Sequence, residues 1–87
     1  MAKLVVFDTE GRREAALKDY NKVGRLPQND VQILDRIVSK EHAIIVFDKS
    51  QGYVINDNGS LNGTYVNRQK ISGKQVLSDG DEITMGN

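Results

Sequence analysis

The chain has 87 residues, 38% hydrophobic and 28% charged, enough for one modest core and too apolar for disorder. Twelve basic residues balance twelve acidic ones, so the chain lacks the overall positive field of a general nucleic-acid or anionic-membrane binder, and any anion recognition has to come from a local cluster. With no cysteine, disulfides, a thiolate nucleophile and a zinc–thiolate site are all excluded.

Met1-Ala2-Lys3 leads into the short apolar run Leu4–Phe7. A secretory core needs roughly 7–15 apolar residues and a membrane span about 20, so a soluble, cytoplasmic protein with no membrane partner is expected. Leu4–Phe7, closed by Asp8-Thr9-Glu10-Gly11, predicts a first strand. Arg12–Lys18 has helix propensity but spans barely two turns, and its place between Gly11 and Asn21 suits the return strand of a hairpin. Strand is the expectation there. Val31–Leu34 alternates in part, and His42–Phe47 is the strongest strand signal. Tyr53–Ile55 follows a turn at Asp48–Gly52, Thr64–Val66 follows Asn62-Gly63, and Ile83–Met85 follows Asp79-Gly80. Short strands punctuated by regular turn signals predict an all-β sandwich or barrel in one domain over 1–87, with no repeat or linker.

Few residues carry chemistry. The single histidine, His42, enters an apolar strand, a position better suited to structural hydrogen bonding than to catalysis. The carboxylates Asp48, Asp57, Asp79 and Asp81 lie at turns, where they ordinarily accept from nearby amides. Asp57-Asn58-Gly59 lacks the alternating oxygen ligands of a calcium loop, and the dispersed glycines form no nucleotide-binding signature. No enzyme, metal or cofactor is expected. Three loops remain. Gly24-Arg25 offers a planar guanidinium fork suited to phosphate. Ser39-Lys40-Glu41-His42 offers a hydroxyl and a second cation, and Asn62-Gly63 a donor and an acceptor for a peptide main chain. Each of these alone reads more readily as a surface charge or turn former.

Together and in this order the chain resembles the forkhead-associated (FHA) domain family. The resemblance rests on Val23-Gly24-Arg25, Val38–Ala43, Gly59–Asn67 with its run Gly-Ser-Leu-Asn-Gly-Thr-Tyr-Val-Asn, and Leu77–Ile83. It implies a sandwich of two twisted antiparallel sheets that holds phosphothreonine peptides on loops at one end, with a Ser/Thr kinase acting upstream and no nucleic acid involved. By the same resemblance, Arg25, Ser39 and Lys40 are expected to meet the phosphate and Asn62 the peptide main chain. Gly24, His42, Gly63, Thr64 and Asn67 are expected to brace the loops. Leu61 is expected to help only through its backbone N–H. Ile37 is the expected neighbour of the third residue after the phosphothreonine, where it implies an apolar preference. Family members normally add a strand after Gly86-Asn87 that pairs with the first, and its absence here implies a domain short by about one strand. Two alternatives stay open: a phosphate-independent interaction scaffold of the same fold, and a single-strand nucleic-acid binder, which the neutral charge and five aromatics disfavour.

Overall fold

A computed structural model describes residues 2–85, and every regular element among them is a strand. The expected strand after Gly86-Asn87 falls outside these residues.

The β1 (Lys3–Asp8) and β2 (Gly11–Ala16) strands form an antiparallel hairpin pairing Lys3 with Ala16 and Asp8 with Gly11. Pairing thus overrides the helix propensity of Arg12–Lys18, and Gly11 supplies the positive φ (97°) of the turn. Ion pairs Lys3–Glu14, Arg12–Glu14 and Arg13–Asp8 decorate the hairpin.

A five-stranded sheet forms one face of the molecule. It comprises β3 (Tyr20–Gly24), β4 (Val31–Gln32), β5 (Ala43–Asp48), β6 (Gly52–Asp57) and β9 (Lys74–Val76), in the order β4-β3-β5-β6-β9. It is not wholly antiparallel, because β4 returns alongside β3 in the same direction, pairing Val23 with Val31. A third, three-stranded sheet has β7 (Thr64–Val66) between β8 (Gln69–Lys70) and β10 (Ile83–Met85). The β7–β8 turn is Asn67-Arg68, both at positive φ (51° and 70°), the pattern of a type I′ hairpin turn.

Alternation of side chains along the strands builds the core. Val23, Ala43, Ile45 and Ile55 of the large sheet meet Val6 of β1 and Val66 of β7, with Leu4, Ile33, Tyr53, Leu77, Ile83 and Met85 packed around them. The all-β sandwich therefore stands as expected, but the layer opposite the five-stranded sheet consists of two separate ladders rather than one. Between them, β1 and β10 flank a groove of about 590 Å³ floored by Val23, Ile33, Val38 and Ile45. The strands β3, β8 and β9 were not anticipated from sequence; β3 turns Asn21 and Val23 into the interior and so lacks an apolar run. Gln69-Lys70 and Lys74–Val76 are exposed and mostly polar, so main-chain pairing places them without any hydrophobic alternation.

Candidate functional site

Three loops converge where β3 stops and β5 and β7 begin. At the exit of β3, Gly24 is buried, and a Cβ there would lie 2.3 Å from the Lys40 carbonyl oxygen and 2.9 Å from Asn29 Nδ2. Close backbone approach, rather than a turn, is why glycine stands at this position. The contact brings the 25–30 and 38–40 segments together. Arg25 N donates to Ser39 O (3.1 Å), and Leu26 N donates to Lys40 O (3.3 Å). Asn29, also buried, donates from Nδ2 to Leu26 O (2.9 Å) and Lys40 O (2.8 Å), and its Oδ1 is buried without a hydrogen-bond partner.

Arg25 is half-buried, and its Nε donates to Val38 O (3.1 Å). That bond fixes the plane of the guanidinium and leaves its outer nitrogens available. Among the described residues, neither Arg25 nor Lys40 nor Arg36 forms an ion pair. The five pairs present (Lys3–Glu14, Arg12–Glu14, Arg13–Asp8, Lys18–Asp30, Arg68–Glu82) involve other residues. No carboxylate of the described residues therefore engages the charged groups of Arg25 and Lys40 directly, which leaves them able to meet an anion.

His42 is fully buried, and its ring ties the loop before β5 to the loop before β7. Its Nδ1 accepts from Ser39 N (3.0 Å), and its Nε2 lies 2.8 Å from Gly63 O. A nitrogen that accepts carries no proton, and a carbonyl can only accept, so this pattern selects the neutral imidazole with its proton on Nε2. The two bonds hold Ser39 against Gly63. Ser39 is thereby fixed, and its Oγ accepts from Leu61 N (3.1 Å). With a lone pair engaged, the hydroxyl is left to donate outward. Leu61 N–H, expected to face a ligand, instead holds Ser39.

The third loop, between β6 and β7, is organised by Asp57, whose central role sequence reasoning missed. Its carboxylate accepts from Ser60 N (2.7 Å), Ser60 Oγ (2.6 Å) and Thr64 Oγ1 (2.8 Å), while Ser60 Oγ accepts from Gly63 N (3.0 Å). Burial pushes the Asp57 carboxyl up, but the bonds from Ser60 and Thr64 outweigh it and hold it below the ordinary carboxylate value. The available signal was the Asp-x-x-Ser spacing within a turn, which reads as amide capping and gives no hint of the side-chain bonds. Thr64 is fully buried, and Gly63 (φ 90°) occupies the left-handed region. Asn62 is exposed and donates from Nδ2 to Ile37 O (2.9 Å), tying its loop to 37–39.

Structure thus brings Gly24, Arg25, Ser39, Lys40, His42, Asn62, Gly63 and Thr64 into one cluster. Asn67 lies outside it. It sits at the far end of β7, where its Nδ2 donates to Asp81 Oδ1 (2.9 Å) and its Oδ1 accepts from Glu82 N (2.9 Å), bracing the 78–82 loop instead. Ile37 enters the cluster through its carbonyl, and its residue lines the groove between β1 and β10.

The FHA domain profile matches residues 21–86. The transcriptional regulatory protein EmbR of Mycobacterium tuberculosis is 44% identical over 62 residues, covering 71% of this chain and 16% of EmbR. An oxoglutarate dehydrogenase inhibitor of Corynebacterium jeikeium is 42% identical over 76 residues, covering 87% of this chain and 51% of the inhibitor. The chain therefore spans about half or less of these curated relatives. Among solved structures, a Synechocystis protein superposes with TM-score 0.88 at 34% identity, covering 98% of this chain and 89% of that one. Mycobacterium tuberculosis EmbR in complex with a low-affinity phosphopeptide superposes with TM-score 0.81 at 36% identity, covering 97% of this chain and 22% of that one.

Proposed function

The chain belongs to the FHA domain family, and from that premise we propose that its loop end captures phosphothreonine peptides, acting as a binding module in phosphorylation-dependent protein interaction. The observation that carries this reading is the local pairing pattern. Arg25 is held by Val38 O in one plane with no carboxylate partner among the described residues, next to a serine hydroxyl whose acceptor side is already engaged by Leu61 N–H. A fixed guanidinium and an outward hydroxyl donor together form a preorganised phosphate site, with Lys40 adding a point charge. Asn62 keeps its Oδ1 free of hydrogen bonds among the described residues, ready to accept from a peptide amide beside the phosphoresidue. The phosphopeptide complex of EmbR, a relative on the same fold, supports the reading. The proposal places a Ser/Thr kinase upstream and the domain in the cytoplasm.

Titration calorimetry with a degenerate phosphothreonine peptide pool and its unphosphorylated counterpart tests this. Micromolar-class binding of the phosphorylated pool is expected, weakening with salt and falling at least about tenfold in Arg25→Ala through loss of a charge-assisted bidentate contact. Equal binding of the two pools would refute it.

A further inference from the structure

Leu61 is 89% exposed, more than any other large hydrophobic residue described. Exposed leucines are ordinary on protein surfaces, so exposure alone decides nothing. What sets Leu61 apart is the rigidity of its mounting. Its own N–H donates to Ser39 Oγ. On one side Ser60 Oγ donates to Asp57 and accepts from Gly63 N, and on the other Asn62 Nδ2 donates to Ile37 O. The loop is therefore held at each residue from 60 to 63, through the main chain at 60, 61 and 63 and the side chain at 62, and Leu61 stands bare and apolar next to the residue that bonds the hydroxyl assigned to phosphate.

Leucine has no group to offer a phosphate. It does offer apolar area on a preorganised support, so a ligand contact there orders only one side chain. The other apolar candidate at the site, Ile37, belongs with the residues of the β1–β10 groove. The cluster is thus two-sided, with the cations Arg25 and Lys40 on the loops after β3 and before β5, and an aliphatic group on the loop before β7.

We infer that Leu61 is a specificity-determining residue: it selects phosphothreonine peptides carrying an aliphatic or aromatic side chain close to the phosphothreonine over those with a charged or small residue there. This rests on the phosphothreonine reading above. The selection is apolar, so it persists at high salt while the phosphate contribution weakens. A side chain resting on an open surface gains less than one enclosed in a pocket, so the preference is roughly three- to tenfold.

A position-scanning library with phosphothreonine fixed and each flanking position varied in turn, read at low and high salt, tests the inference. Wild type is expected to enrich Leu, Ile, Val, Met or Phe at one flanking position at both salt levels. Leu61→Ala is expected to level that position, and Leu61→Met to keep it. Amide spectra of both variants confirm folding, which a fully exposed side chain leaves intact. A flat wild-type profile on phosphothreonine peptides, or a preference unchanged in Leu61→Ala, would overturn this inference and leave the phosphothreonine reading standing. A wild type that binds no phosphopeptide would overturn both.

Discussion

The loop end and the β1–β10 flank of this small sandwich are held together by different forces. At the loop end the determinants are directional: His42 between Ser39 and Gly63, Asp57 under Ser60 and Thr64, and Gly24 against the Lys40 carbonyl. At the flank, one edge each of β1 and β10 pairs with no strand among the described residues, and a groove reaches down to Val23 and Ile45. Between β1 and β10 the contacts are mainly apolar and non-directional, the directional bonds of β1 being its ladder to β2 and those of Asp8 with Leu34 and Arg13. The difference teaches where the molecule tolerates change. A hydrogen-bonded network of buried groups fails when one member is removed, because the others are left unpaired in a low-dielectric interior. An open apolar flank adjusts.

Four substitutions or conditions sharpen or break that contrast. His42→Ala has the largest effect. It strips partners from the Ser39 amide and the Gly63 carbonyl, destabilises the fold by about 3 kcal/mol or more in urea denaturation, and weakens phosphopeptide affinity by releasing Ser39. Gly24→Ala follows, at about 2–3 kcal/mol, since its Cβ meets backbone rather than a flexible side-chain tip.

Acidification comes next. The carboxyls of Asp57 at the loops and Asp8 at the hairpin are both held below their ordinary values, Asp8 chiefly by the Leu34 amide and then by Arg13. The folded state thus binds these protons more weakly than the unfolded state. Stability is fully present above about pH 4 and drains away as pH falls below it through the depressed folded values. Urea midpoints measured from pH 6 downward are expected to show this fall, with a shallower slope in Asp57→Asn. A midpoint that rises on acidification would contradict the assignment.

The smallest effect belongs to the flank. Val5→Thr, at an outward position of β1, is expected to change stability by no more than about 0.5 kcal/mol. A loss as large as that of Gly24→Ala would show that the flank is as tightly specified as the loops.

Much of this was legible in the sequence. Leu4–Phe7, His42–Phe47 and Tyr53–Ile55 announced strands because their burial depends on alternation and turn punctuation, which residue identity records directly. Gly24, Ser39, His42 and Asn62-Gly63 were legible as a set through their order along the chain. What escaped includes β3, whose buried Asn21 breaks the apolar pattern a core strand would show. The strands β8 and β9 are placed by main-chain bonds that any residue supplies. Asn29 and Asp57 looked like ordinary turn residues, and their partners (Lys40 O, Ser60 and Thr64) became visible only once the loops were folded together. Asn67, expected among the loop braces, stands at the opposite end of a three-residue strand, a separation that the short sequence spacing conceals.

Amide chemical-shift mapping with a phosphothreonine peptide weighs the two regions in one experiment. The account predicts shifts at Arg25, Ser39, Lys40, Leu61 and Asn62, with Val5–Phe7 and Ile83–Thr84 silent and no shifts from the unphosphorylated peptide. Shifts confined to the β1–β10 flank, or identical for both peptides, would contradict it.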